Sequence, residues 1–162
     1  MLNREVFYED PGRRALPNLG VARVARPDSD QEWEKLHFEL SHFVSDGAYG
    51  QGLKRVLSTF LDYIGQAKQP AVWVSGFYGS GKSHFMRVLE HIWVDTPMPD
   101  GNTARGLADL PQEVKDDLRG LTTAGKRAGG LWAAAGTLGA GSSTSVRLAF
   151  MRVLFEAAGL PS

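Results

Sequence analysis

The clearest periodicity in the chain runs from Leu53 to Ile64, where Leu53, Val56, Leu57, Phe60, Leu61 and Ile64 recur at helical spacing. Such spacing lines one face of an α-helix and predicts an apolar stripe turned to a core. Gly65 is placed to end that helix, and Pro70 forbids its resumption. Upstream, Trp33, Leu36, Leu40, Phe43 and Val44 repeat at the same spacing behind Ser29 and Glu32. Ser and Glu three apart form a capping box, so a helix is predicted from Ser29 to about Ser45. Gly47-Ala48-Tyr49-Gly50 breaks the pattern before the second helix. Ala71-Val72-Trp73-Val74-Ser75 is a short, nearly continuous apolar run with β-branched and aromatic members. It reads as a strand buried on both faces, as in a parallel sheet. A glycine-rich turn follows, then a predicted helix from about Lys82 to Trp93 with Phe85, Val88, Leu89 and Ile92 inward.

From Thr96 to about Arg127 the pattern turns polar, with Gly101, Gly106, Gly120 and Gly125 scattered through it. This reads as an insertion over the surface, holding one helix entered at Asp109 with Pro111 in its first turn and Val114, Leu118 and Leu121 on one face. Gly130–Ala135 is a second candidate for a buried strand, although alanine is a poor strand former. Gly136–Ser145 reads as a flexible loop. A last helix is expected from about Ser145 to Ala158, with Val146, Phe150, Val153, Leu154 and Ala157 inward, stopping at Gly159 and Pro161. At the front, residues 1–28 are rich in turns, with short strands expected at Glu5–Tyr8 or Val21–Val24. The expected fold class is therefore α/β: the N-terminal part of a P-loop NTPase domain of the AAA+/STAND kind, with parallel strands flanked by helices. Its parts would be a helical lead-in (29–69), the strand-loop-helix of the P-loop (71–93), the polar insertion (96–127) and a second strand-loop-helix (128–162).

Composition narrows the chemistry. The chain has 162 residues, 43% hydrophobic and 22% charged, as expected of one folded domain. Net charge is zero, so no overall field attracts nucleic acid, and DNA binding would need a local patch. With no cysteine, disulfides, thiolate zinc sites and cysteine nucleophiles are excluded together. The opening residues carry no apolar h-region, and the longest apolar runs (Ala71–Val74, Leu131–Ala135) are too short to span a bilayer. A cytoplasmic location without membrane contact is expected.

Gly76-Phe77-Tyr78-Gly79-Ser80-Gly81-Lys82-Ser83 fits G-x-x-x-x-G-K-[ST] without a gap. Glycines let the backbone take positive φ and curl around phosphates, so that successive amides converge on them. The helix that starts at the loop adds its own unsatisfied amides and the positive end of its dipole. Lys82 can reach the β- and γ-oxygens, and the Ser83 hydroxyl can bind Mg²⁺. The motif therefore predicts ATP or GTP as ligand, with Mg²⁺, and Lys82 as the residue most directly involved in catalysis. His84 could also touch a phosphate, although packed histidines are commoner. Tyr49 lies in the break before the helix leading into the loop, where it could meet an adenine; ordinary packing is the commoner fate of an aromatic.

Other features carry less. A hydrolase needs an acid at the end of a second apolar strand. The nearest lookalike, Asp95 in Ile92-Trp93-Val94-Asp95, falls at the tail of the P-loop helix and should point away from the phosphates. These residues are thus expected to bind nucleotide without hydrolysing it. Gly136–Gly141 has no following lysine and reads as a loop. Arg13, Arg14 and Arg26 could be fingers or oligomer contacts, with solvated surface as the default. A small-molecule kinase is disfavoured, because some 70 residues precede the loop and no arginine-rich lid is evident. A non-catalytic scaffold that uses nucleotide as an assembly switch stays open.

Trp73-Val-Ser-Gly-Phe-Tyr-Gly-Ser-Gly-Lys-Ser-His-Phe85 is more specific than a bare phosphate-loop pattern. It resembles the large ATPases of bacterial phage-exclusion (BREX) systems, the BrxC/PglY family. Glu39–Asp46 with the break at Gly47 also looks like the front of those proteins, and Ala128–Gly141 looks like the PglY branch, named for phage growth limitation. The resemblance implies ATP as the nucleotide, Lys82 and Ser83 as the phosphate and Mg²⁺ residues, and a longer polypeptide carrying the missing acid, sensor and finger residues. It also implies phage-defence partners, including a methyltransferase and a phosphatase-like protein, with DNA and self-association as further options.

Overall fold

The computed structural model describes residues 27–137 and 145–160. Readings made of residues 1–26, including the two short strands and Arg13, Arg14 and Arg26, lie outside the described residues, as do 138–144 of the glycine-rich loop. The described chain forms six helices: α1 (Asp30–Ser41), α2 (Ala48–Tyr63), α3 (Lys82–Val94), α4 (Ala104–Leu107), α5 (Gln112–Arg127) and α6 (Val146–Ala157). None is long and apolar enough to cross a membrane.

The expected α/β class is overturned. Among the described residues there is no strand and no sheet; the only bridge is an isolated antiparallel one between Pro97 and Thr103. Neither Ala71–Ser75 nor Gly130–Ala135 pairs with another described segment, and the first run faces solvent, with Trp73 90% exposed. The reason is non-local. A run of Val and Trp favours strand conformation, but a strand exists only when a neighbour completes its hydrogen-bond ladder and something covers its faces.

The core is built by helices instead. Leu36 and Leu40 of α1, Leu53 and Leu57 of α2, Phe85, Val88 and Ile92 of α3, and Val114, Leu118 and Leu121 of α5 meet in one cluster. α2 and α5 form the most extensive helix pair, while α1 packs on α3 and α4. Residues 96–127, read from the sequence as a surface insertion, thus supply a wall of the core: Met98, Ala104, Ala108 and Leu110 are buried along with the α5 stripe. The Lys54 ammonium of α2 meets the Asp117 carboxylate of α5 at 3.0 Å, and this contact pulls the lysine pKa upward.

Helix ends follow local chemistry. The Ser29 hydroxyl accepts from the Glu32 amide at 3.4 Å, as a capping serine should. The Glu32 carboxylate turns to Lys35 and Arg87 instead of closing the box. α1 stops at Ser41, short of the expected Ser45, so that Phe43 turns into the core while Val44 is exposed. α6 matches its predicted span but buries no residue; Val146 and Phe150, expected inside, are mostly exposed.

Arg105, at the start of α4, joins three helices. Its Nε donates to Ile92 O at 2.6 Å, Nη2 to Trp93 O at 2.8 Å, and Nη1 to Leu118 O and Thr122 Oγ1 at 3.2 and 2.6 Å. It thereby satisfies carbonyls at the end of α3 that have no partner within the helix. Burial pulls its guanidinium below the ordinary arginine value, and Asp95 opposes the shift. Arg105→Ala is expected to cost about 2 kcal/mol in urea unfolding, because charged donors are removed from partly buried carbonyls. Arg105→Lys is expected to recover little, since a single ammonium cannot span the fork's four acceptors.

Candidate phosphate-binding loop

The segment from Gly76 to Ser83 connects the exposed run 71–75 to α3. Gly79 and Gly81 take φ of 78° and 80°, left-handed conformations that side-chain-bearing residues rarely adopt. Between them the chain turns tightly, with Ser80 N donating to Phe77 O at 3.2 Å. Gly81 caps α3, and the first hydrogen bond of that helix is Phe85 N to Gly81 O at 2.8 Å. The amides of Lys82, Ser83 and His84 precede that bond, so they are the free donors of a helix start.

Lys82 folds over its own loop. Its Nζ donates to Phe77 O at 2.7 Å, Gly76 O at 3.0 Å and Ser80 Oγ at 3.4 Å. The ammonium thus rests on neutral oxygens that an anionic oxygen would outcompete, since charge-assisted hydrogen bonds are roughly twice as strong. Ser83 is exposed one position along. Phe77 and Tyr78 project from the tip, 90% and 99% exposed. The loop residues named from the sequence therefore gather in one place, with the lysine inside and the aromatics outside.

His84 and Tyr49 lie behind the loop. His84 Nε2 sits 3.1 Å from Glu39 O, and its ring stands edge-on to Phe43. The Tyr49 ring packs near Phe43 and Phe85, with centroids 6.0 and 5.9 Å away. Its hydroxyl donates to the carbonyl of Ser80. Asp95 takes a left-handed conformation at the far end of α3 and accepts from the Arg105 amide at 3.1 Å. Thirteen residues of helix put it about 20 Å from Lys82, too far to meet a metal there.

Sequence reasoning missed what anchors α3. Arg87 is 2% exposed and meets Glu39 at 2.9 Å and Glu32 at 3.8 Å, both on α1. The signal was present: Glu32 and Glu39 share the helix face of Leu36 and Leu40, so their partner had to be a cation on a packed element. On the other side of α3, a cavity of about 740 Å³ opens beside Lys82 and Ser83, walled by Val74, Leu89, Trp93, Trp132, Ala134 and Phe150.

The residues present suit a phosphate chain: a curled glycine backbone, free helix-start amides and one mobile ammonium converge within eight positions. Among the described residues no cluster of three or more His, Asp or Glu could hold a metal by itself. Magnesium commonly binds through substrate phosphates with few protein ligands, and Ser83 is placed to supply one.

No protein-family model matches the chain, and no solved structure matches it.

Proposed function

We propose that this chain binds the phosphates of ATP, with Mg²⁺, through Gly76–Ser83, as the nucleotide-binding module of a larger ATPase. The observation that carries the proposal is the conjunction of left-handed Gly79 and Gly81, the start of α3 at Lys82, and the Lys82 ammonium held over the loop. Lys82 and the amides of Gly79, Gly81 and Lys82 would hold phosphate oxygens, joined by the Ser80 amide once it leaves Phe77 O, and Ser83 would give its hydroxyl to Mg²⁺. The neighbouring cavity is within the size range of small-molecule sites. Its aromatic walls could cover the rest of the nucleotide.

Resemblance to the BrxC/PglY ATPases supports ATP over GTP, antiviral defence as the setting, and methyltransferase and phosphatase-like proteins as partners. Hydrolysis would need an acid near the phosphates, and Asp95, the candidate in the sequence, lies at the far end of α3. A non-catalytic switch is therefore the second reading, favoured by the distance of Asp95 from the loop.

Calorimetric titration with Mg²⁺-ATP, Mg²⁺-GTP and adenosine tests the first reading. Binding of the triphosphates with no measurable adenosine binding is expected, because the phosphates carry the recognition. Adenosine binding as tightly as ATP would overturn a phosphate-centred site.

A further inference from the structure

We propose that Tyr49 is a positioning residue of the phosphate loop: its hydroxyl holds the Ser80–Gly81 peptide so that the Gly81 N–H faces the phosphates. The inference rests on the nucleotide reading above and names a device that the motif itself does not contain.

Tyr49 stands in the first turn of α2, 31 positions before Ser80, and donates its hydroxyl hydrogen to the Ser80 carbonyl. No peptide bond in the described chain is cis. In a trans peptide the C=O and N–H point in opposite directions. Fixing the Ser80 carbonyl toward Tyr49 therefore turns the Gly81 N–H away from Tyr49. Tyr49 packs behind the loop on Phe43 and Phe85, so the opposite side is the one a phosphate approaches.

This peptide needs an external hold. It joins Ser80 to Gly81, with Gly79 just before it; both glycines have φ near +80°, and a glycine lets the backbone exchange conformations at little cost. A flipped peptide would present a carbonyl oxygen to the phosphate in place of a donor. The fit is close: a Cβ at Gly81 would come within 2.6 Å of Tyr49 Oη. The ring is itself clamped, because Phe85 belongs to α3 and Phe43 to the buried cluster. A hydroxyl on a fixed ring has one reach, and the Ser80 carbonyl is at its end. Tyr49 thereby couples the start of α2 to the start of α3 through the loop.

The test is Tyr49→Phe, which keeps the ring and its packing and removes only the hydroxyl. Inorganic tripolyphosphate and Mg²⁺-ATP serve as probes, with Lys82→Ala as the control for specific binding. The expected result is a Kd raised about fivefold for both probes alike, the scale of one lost hydrogen bond, with the melting temperature without ligand unchanged. In ¹⁵N spectra of the unliganded protein, the Gly81 amide resonance should shift and broaden. Wild-type affinity for tripolyphosphate in Tyr49→Phe, with an unmoved Gly81 resonance, overturns the role. Failure of the wild-type protein to bind either probe overturns the nucleotide reading and this role with it, and so is distinct from failure of Tyr49 alone.

Discussion

Arg87→Met is expected to lower the unfolding free energy by about 3 kcal/mol, the low end of what breaking a buried ion pair costs. The side chain is 2% exposed, and the two carboxylates it meets on α1, Glu39 and Glu32, are 12% and 20% exposed. Removing the guanidinium leaves two partly buried anions near each other. Lys35 meets the Glu32 carboxylate at 3.6 Å, beyond hydrogen-bond length. Methionine fills most of the vacated volume, so the loss is electrostatic and not a packing defect. Against a typical domain stability of about 5–15 kcal/mol, such a change is large. Urea unfolding followed by circular dichroism should show it as a fall in midpoint with an unchanged slope. Adding Glu39→Gln to Arg87→Met should recover more than half of the loss, because the only anion then left is Glu32, which Lys35 still meets. A loss below about 1 kcal/mol for Arg87→Met would mean the ion pair does not anchor α3.

Lys82→Ala carries the largest functional effect. Under the proposed phosphate role the ammonium would supply two or more charge-assisted bonds to phosphate oxygens, each contributing about 1.5–3 kcal/mol, so affinity for Mg²⁺-ATP should fall at least 100-fold. Its present partners are carbonyls of an exposed loop, so unliganded stability should change by less than about 1 kcal/mol. The two ion-linked substitutions are thus expected to separate cleanly: Arg87 governs the fold and Lys82 governs the ligand.

Legibility in the sequence followed the range of each interaction. The α2 stripe, the α3 stripe and the capping serine of α1 are local, and all were readable within a few residues. The left-handed turns at Gly79 and Gly81 were equally readable, since such backbone favours glycine. The sheet was misread because Ala71–Ser75 states only a preference, and pairing depends on residues elsewhere. The place of α5 was misread for a different reason. Gly120, Gly125 and the charges on its outer face lower the average hydropathy of 96–127, yet Val114, Leu118 and Leu121 alone suffice to bury one side. Arg105 was unreadable, because its acceptors are backbone carbonyls of Ile92, Trp93 and Leu118, which no side-chain pattern advertises. The bond from Tyr49 to Ser80 spans 31 residues. The position of Tyr49 ahead of the glycine-rich loop suggested packing or an adenine contact, and nothing local pointed to a backbone acceptor at Ser80.

The central claim is that Gly76–Ser83 is a formed phosphate-binding loop, and thermal unfolding with and without Mg²⁺-ATP tests it most directly. Ligand at 100 times its Kd should add about 2.7 kcal/mol, raising the melting temperature by about 5–10 °C for a domain of this size. That shift is expected in the wild type and should disappear in Lys82→Ala. An unmoved wild-type melting temperature at millimolar Mg²⁺-ATP, or an equal rise in Lys82→Ala, would contradict it.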